Sequence, residues 1–442
     1  MTSTLIIIKG GRVVDPSQDI DKVADVLIEG KNILGVDGGV EREGATVIDA
    51  SGKIVCPGFI DLHTHLREPG FEYKETIATG TLAAARGGFT TVCAMPNTSP
   101  VMDSRAIVDF VLGKAAAEGV VRVLPIGAVT KGSLGKELAE MGELADAGAI
   151  GFSDDGHPVA DTNIMRQALS YASVLGLPII NHAEVKSLSE GGAMNEGWVA
   201  TRLGLKGIPN SAEEIMVARD IELAELTGGH VHIAHASTAG TIELVRRAKE
   251  NGISVTCEVT PHHLTITDET VMGHLRNGGP FDTLTNFAYD TNAKVAPPLR
   301  AREDMEAMVQ ALRDGVIDFI ATDHAPHGTV EKHTSFQEAA NGISNIETAL
   351  GSLMALVHSG DVPLPVLIDR LTASPARFLG RNDLGTLRAG AAADITIIDP
   401  DAEWVVDPSK FASKGKNTPL TGATLRGRVV TTVYGGEVVN AC

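Results

Sequence analysis

Cysteine is scarce in this chain of 442 residues: there are four, Cys56, Cys93, Cys257 and Cys442, with no C-x-x-C pair and no framework spacing. That excludes a disulfide scaffold and suits the reducing cytoplasm, which is the expected compartment. Aromatic residues make up only 4%, so the interior has to be built from Ala, Val, Ile and Leu. No apolar run reaches the roughly 18 residues that a membrane span requires. The opening MTSTLIIIKGG has no basic n-region and no small-residue cleavage site, so it reads as a strand and not as a signal. Positive charge is also short, with 37 Lys and Arg against 56 Asp and Glu, a formal net charge of −19. A balance this acidic argues against nucleic acid or an anionic membrane as partner. If the substrate is a small anion, local cations have to hold it. Solenoid repeats and low-complexity segments are absent as well.

What is present is a composition of 43% apolar and 21% charged residues, that of a globular enzyme. The first part of the chain, TLIIIKGGRVVD, ADVLIEGKNILGV and ATVIDASGKIVCPG, has short β-branched runs separated by turn residues, the pattern of antiparallel sheet. ADITIIDPDAEWVV and GRVVTTVYGGEVV near the other end read the same way. Residues 1–56 and 386–442 are therefore expected to pair as one small β-sandwich domain. Residues 57–385 alternate short apolar runs with amphipathic stretches, as parallel strands with crossover helices do. Eight such units are countable, with strands in GFIDLHTHL, TTVCAMP, RVLPIGAV, AIGFSDD, PIINHAE, HVHIAHAS, SVTCEVTPHH and DFIATDHAP. The fold class is thus α/β, a (β/α)8 TIM barrel. One interruption, roughly 265–300, exceeds ordinary loop length and points to a functional or peripheral insertion.

Catalytic groups of such a barrel gather at the C-terminal ends of its strands. Strand one ends in Asp61-Leu62-His63-Thr64-His65, strand four in Asp154-Asp155, strand five in Asn181-His182-Ala183-Glu184, strand six in His232-Ile233-Ala234-His235, and strand eight in Thr322-Asp323-His324. His63 and His65 are two apart, the spacing that sends both side chains of a strand to one face. Asp61 lies one pleat earlier and could orient a ligand imidazole. An isolated H-x-H is equally compatible with two hydrogen-bonded histidines at a barrel mouth. His182, His235, Asp155 and Asp323 at the same end shift the reading to metal. Imidazole and carboxylate suit zinc or a similar divalent ion, and six such groups exceed the needs of one catalytic zinc. Two ions sharing a bridging carboxylate would use them all. Two adjacent carboxylates on a strand end point opposite ways, so geometry alone leaves Asp154 and Asp155 both open as the bridge.

The segment PGFIDLHTHLREPGFEYKETIATGTLAAARGGFTTVCAMPNTSPV resembles the signature of the dihydroorotases of the amidohydrolase superfamily. IGFSDDG, NHAE, HIAHAST, ATDHAPH and EAANGISNIETAL follow in that family's order, so the resemblance spans essentially the whole chain. It is closest to the bacterial monofunctional type, whose bridging ligand is an aspartate. The resemblance implies two divalent ions, zinc being the first expectation, with His63 and His65 on one, His182 and His235 on the other, and Asp155 between them. Asp323 would touch the first ion and act as the catalytic acid/base. Arg67 follows His65 by two and is therefore expected on the same side at the barrel mouth, where a guanidinium could grip a carboxylate in two-point fashion; the alternative is a surface ion pair with Glu68 or Glu72. The family adds His65, Asn97 and His327 as substrate contacts, with Asn341 and Gly342 offering backbone groups to the ring. Ala296 stands where many relatives have an Asn, so no side-chain role is assigned there.

The implied reaction is the reversible hydrolysis of L-dihydroorotate to N-carbamoyl-L-aspartate through a metal-bridging hydroxide, the third step of pyrimidine biosynthesis. One rival is another cyclic amidase (hydantoinase, dihydropyrimidinase or allantoinase), but these resemble a pattern with a bridging carboxylated Lys, and AIGFSDD has no Lys. Another is a non-catalytic scaffold for aspartate transcarbamoylase, which would have lost the metal ligands that this chain keeps. A homo-oligomer, first of all a dimer, is expected, and the resemblance leaves an active association with the transcarbamoylase open. His262 and His263 are expected to pack or to support ligands. His157, His230, His274 and His333 read as loop or surface residues, and Met194 and Trp198 as packing.

Overall fold

A computed structural model describes residues 5–37, 43–273 and 287–441. Cys442 and residues 274–286 of the insertion, His274 among them, lie outside the described residues.

The barrel strands are Phe59–Thr64, Phe89–Ala94, Arg122–Pro125, Ile179–Asn181, Val231–Ile233, Val255–Val259 and Phe319–Ile320, with the short fourth position at Phe152. Every neighbouring pair is parallel. Phe152 bridges Gly127 on one side and Ile179 on the other, and Thr64 bridges His324, which closes the ring of eight. The eight strands expected from sequence are those observed. Their runs have few polar residues because a parallel sheet covered by helices is buried on both faces. Ile60, Cys93, Ile180 and Phe319, from four different strands, meet in one cluster, and a much larger one joins the strands to the surrounding helices.

Helix boundaries follow local chemistry. Asp161 accepts hydrogen bonds from the amides of Asn163 and Ile164 to start Thr162–Leu175, and Gly176, at φ 67°, ends it in the left-handed region that glycine enters without strain. Thr238 caps Ala239–Glu250 through the amide of Thr241. Among the described residues no helix is long and apolar enough to cross a membrane.

The chain ends pair. Ile54–Pro57 runs antiparallel to Ile395–Ile398 and parallel to Leu5–Asp15, so strands from both termini share one hydrogen-bonded sheet. Its core holds Ile8, Val26, Ile28, Val55, Ile395 and Val433. Ile54–Pro57 leads directly into the first barrel strand, which couples this sheet to the barrel wall.

The described parts of the insertion pack in a satellite core. Ile266, Val271, Ala293, Val295 and Leu299 meet Met194, Val199 and Leu205 from the segment after strand five. Asn195 donates to Asp268 at 3.0 Å and Tyr289 Oη to the Leu203 carbonyl at 2.9 Å, tying the two segments together. Met194 is buried as expected, whereas Trp198 is 58% exposed: it begins the helix Trp198–Leu203, whose buried residues are Val199 and Ala200.

Candidate metal centre and substrate cleft

His63, His65, Asp155, His182, His235 and Asp323 converge at one end of the barrel, all buried. His63 Nε2 lies 3.5 Å from Asp155 Oδ1 and 3.5 Å from Asp323 Oδ1. His65 Nε2 is 3.6 Å from Asp155 Oδ2 and 3.0 Å from Asp323 Oδ1. On the far side of Asp155, His182 Nδ1 and His235 Nε2 stand 3.8 and 3.6 Å from Oδ1, and 3.0 Å from each other. Two groups of potential ligand atoms result, His63–His65–Asp155 and Asp155–His182–His235, each within 4.8 Å of one another and sharing Asp155. His63 Nε2 and Asp155 Oδ1, both deeply buried, have no hydrogen-bond partner. A buried polar atom left unpaired is costly, so these donors fit a cation that would use them.

Local backbone geometry aims these groups. His235 and Asp323 sit at φ 37° and 47°, a left-handed conformation that non-glycine residues seldom adopt and that clusters at functional sites. Burial alone would raise the Asp323 carboxyl, but His63, His65 and His235 outweigh it and hold the group well below the usual carboxylate range. Asp155 is likewise disfavoured by burial and drawn below that range by His63, His235 and His65. Both are therefore ionised in this imidazole cage.

The neighbouring Asp154 turns the other way. Its carboxylate accepts from the amides of Val129 and Thr130 at 2.9 and 3.0 Å and from the Thr130 hydroxyl, anchoring the loop after strand three. Asp61 also differs from expectation. Instead of orienting a ligand imidazole, it accepts from the His63 amide, the Thr322 amide and the Thr322 hydroxyl, stitching strand one to strand eight. The imidazole partner is Glu258 on strand seven, which receives His63 Nδ1 at 2.7 Å and lies 3.2 Å from His232 Nε2. Burial opposes its ionisation, yet His63 and His232 bring Glu258 down to about 2. Sequence reasoning passed over it; its signal was a lone carboxylate inside a strand otherwise built for burial. Glu184 plays the matching part for His182, at 3.1 Å from Nε2.

A cleft of about 200 Å³ opens above this centre, lined by His65, Arg67, Asn97, Asp155, His182, His235, Ala296, Asp323, His327, Asn341 and Gly342 among others. Arg67 lies past the end of strand one, in a turn at φ 63°, so the turn and not strand alternation places it there. The guanidinium Nε donates to the Pro326 carbonyl at 3.3 Å, and among the described residues no carboxylate lies within ion-pair distance of it. Glu68 and Glu72, the candidate surface partners, are engaged elsewhere, Glu68 with Lys114 and the Ile77 amide, Glu72 with the Gly70 amide. Asn97 joins the cleft wall and also supports the centre: its Oδ1 is 2.9 Å from His65 Nδ1 and its Nδ2 3.4 Å from Asp155. His327 Nε2 donates to the Asn341 carbonyl at 2.8 Å, and the Gly342 amide to the Lys294 carbonyl at 3.0 Å. A β-carbon on Gly342 would sit 2.8 Å from that of Ala325, so a side chain there has no room. His262 and His263 hold no place in either ligand group; they bond to Asn345 and to Thr260 and the Pro297 carbonyl.

Residues 52–241 match the family model described as Dihydro-orotase-like. The chain is 51% identical to the dihydroorotase of Geobacter metallireducens over 435 residues, covering 98% of this chain and 99% of that one. It is 53% identical to the dihydroorotase of Pelotomaculum thermopropionicum over 98% of each. In three dimensions it matches an L-hydantoinase (dihydropyrimidinase) from Arthrobacter aurescens with a TM-score of 0.86 at 26% identity, covering 100% of this chain and 96% of the other. Divalent metal use accords with this membership and with the shared Asp155 cluster. About half of all residues are shared, over nearly full length, with proteins named for one activity, against a quarter with the hydantoinase that shares the fold; the chain belongs to the dihydroorotase family.

Proposed function

We propose that this chain catalyses the reversible hydrolysis of L-dihydroorotate to N-carbamoyl-L-aspartate at a centre of two divalent ions, zinc being the expected metal. The observation that carries the reading is the position of Asp155, common to two histidine pairs and with a buried oxygen that no protein group satisfies. His63, His65 and Asp155 would hold one ion and Asp155, His182 and His235 the other, with Asp323 beside the first. Such a pair supplies an activated water and polarises a carbonyl.

The protein's own groups do the rest. Arg67, without a carboxylate of its own, offers a guanidinium to the substrate carboxylate, with Asn97 and His327 beside it. Asn341 and Gly342 bring backbone groups to the ring, while the small Ala296 leaves it space. Asp323 Oδ1, facing His65, takes the proton from the attacking water during ring opening and returns it to the departing ring nitrogen; ring closure runs the same transfer backwards. The three described cysteines are buried and unpaired, in keeping with a cytoplasmic setting.

The test is a side-by-side ultraviolet assay of the purified protein with dihydroorotate, hydantoin, dihydrouracil and allantoin. Turnover of dihydroorotate well above the others is expected. Turnover of any other and not of dihydroorotate would refute the assignment.

A further inference from the structure

We infer that Lys332 is a positioning residue whose ammonium fastens the inserted segment to the stretch 340–342 and thereby sets the cleft wall that meets the substrate ring. The inference rests on the reading above of Asn341 and Gly342 as ring contacts.

Lys332 ends the short helix Thr329–Lys332 after strand eight and is only 6% exposed. Its Nζ donates to three main-chain carbonyls: Thr291 at 3.0 Å, Lys294 at 3.1 Å and Ala340 at 2.7 Å. An ammonium has three N–H groups, and all three are used. Among the described residues no carboxylate lies within ion-pair distance of it. A buried charge without a counter-ion costs stability, and an apolar side chain would fill the same space without that cost. What an apolar side chain cannot do is satisfy three inward-facing carbonyls from two different segments.

Those carbonyls sit next to the cleft. Lys294 O, besides receiving Lys332, accepts the amide of Gly342 at 3.0 Å. Ala340 precedes Asn341, whose carbonyl is held by His327. Val295 and Ala296, which follow Lys294, line the cleft directly. One ammonium therefore fixes the spacing of two neighbouring segments of the cleft wall, and Thr291 Oγ1 reinforces it by donating back to the Lys332 carbonyl at 2.5 Å. Lysine suits this task and arginine does not, because three acceptors surround a point charge and the guanidinium donors lie in a plane.

Two variants of the metal-loaded protein test the inference, Lys332→Met and Lys332→Gln, the second keeping two of the three donors. For Lys332→Met, KM for dihydroorotate should rise about tenfold or more with kcat little changed, because the clamp shapes binding and lies outside the chemistry. Amide exchange in 287–296 and 339–345 should quicken at least tenfold while exchange in the barrel strands stays as in the parent. Lys332→Gln should fall between parent and Met on both readouts. If Met matches the parent in KM or in exchange of those segments, the inference fails. It fails equally if Gln matches the parent, or if exchange quickens across the whole barrel, which would mark Lys332 as general packing. Exchange is read without substrate, so a protein inactive on dihydroorotate would overturn the proposed function and leave the clamp to be decided by exchange alone.

Discussion

His63 and Glu258 stand 2.7 Å apart, ring Nδ1 to carboxylate, at the bottom of the site, both shielded from solvent. A carboxylate accepts only, so Nδ1 carries a proton, and Nε2, which faces Asp155 and Asp323, is the nitrogen that would offer its lone pair to a metal ion. Glu258 thereby sets both the tautomer and the direction of a proposed ligand. Glu258→Leu should weaken metal retention by about 10- to 100-fold, whereas Glu258→Gln, which still offers an acceptor oxygen, should weaken it less. Metal content after dialysis against graded chelator measures this, and equal retention in Glu258→Leu and the parent would remove Glu258 from this role.

Metal analysis of purified protein should find close to two divalent ions per chain, and strong chelators should abolish activity. His182→Ala or His235→Ala should lower the content by about one ion, since each leaves the other pair of histidines intact. A fully active protein carrying one ion would exclude the binuclear assignment.

Adjacent aspartates should separate cleanly on substitution. Asp155→Ala should empty the centre, and reconstitution of the parent should be indifferent to bicarbonate, because an aspartate needs no carbon dioxide to become a ligand. Asp154→Ala should keep its metal but lose about 1–3 kcal/mol of stability, as the Val129 and Thr130 donors lose their acceptor. Thermal unfolding and metal content together decide it; the reverse pattern would move the bridge to Asp154.

Arg67→Met should raise KM for dihydroorotate by about 10- to 100-fold and lower kcat less, because the substrate carboxylate is present in both ring-open and ring-closed forms. A fall in kcat at unchanged KM would place the guanidinium in transition-state stabilisation instead.

Asp323→Asn should depress ring opening and ring closure alike by at least about 100-fold while most of the metal remains. An amide keeps the shape of the carboxylate but cannot take the proton. Substantial residual activity in either direction would assign proton transfer to another group.

The strand ends were readable before any coordinates because the chemistry is local there. H-x-H in strand one, NHAE in strand five, HIAH in strand six and TDH in strand eight each put an imidazole or a carboxylate at a place that the barrel topology makes common, and the alternation of apolar runs with amphipathic stretches announced that topology. Pairing of the two chain ends was foreshadowed by matching β patterns. Other features depend on what lies across space. Asp154 and Asp155 are equivalent in sequence; only the Val129–Thr130 loop, which captures one carboxylate, separates them. Asp61 looked like the partner of a ligand because it is near in sequence, but the amide and hydroxyl of Thr322, 261 residues away, claim it, and a glutamate from strand seven takes that place. Trp198 looked like packing, and the docking of its helix through Val199 and Ala200 left it outside. Lys332 had no motif at all. The sequence by itself determined which residue types occur at the strand ends and how the strands alternate with helices, because periodicity and spacing act along the chain. Tertiary structure alone decided which acceptor each polar group meets, because a buried donor or acceptor is satisfied by whatever the fold brings within about 3 Å.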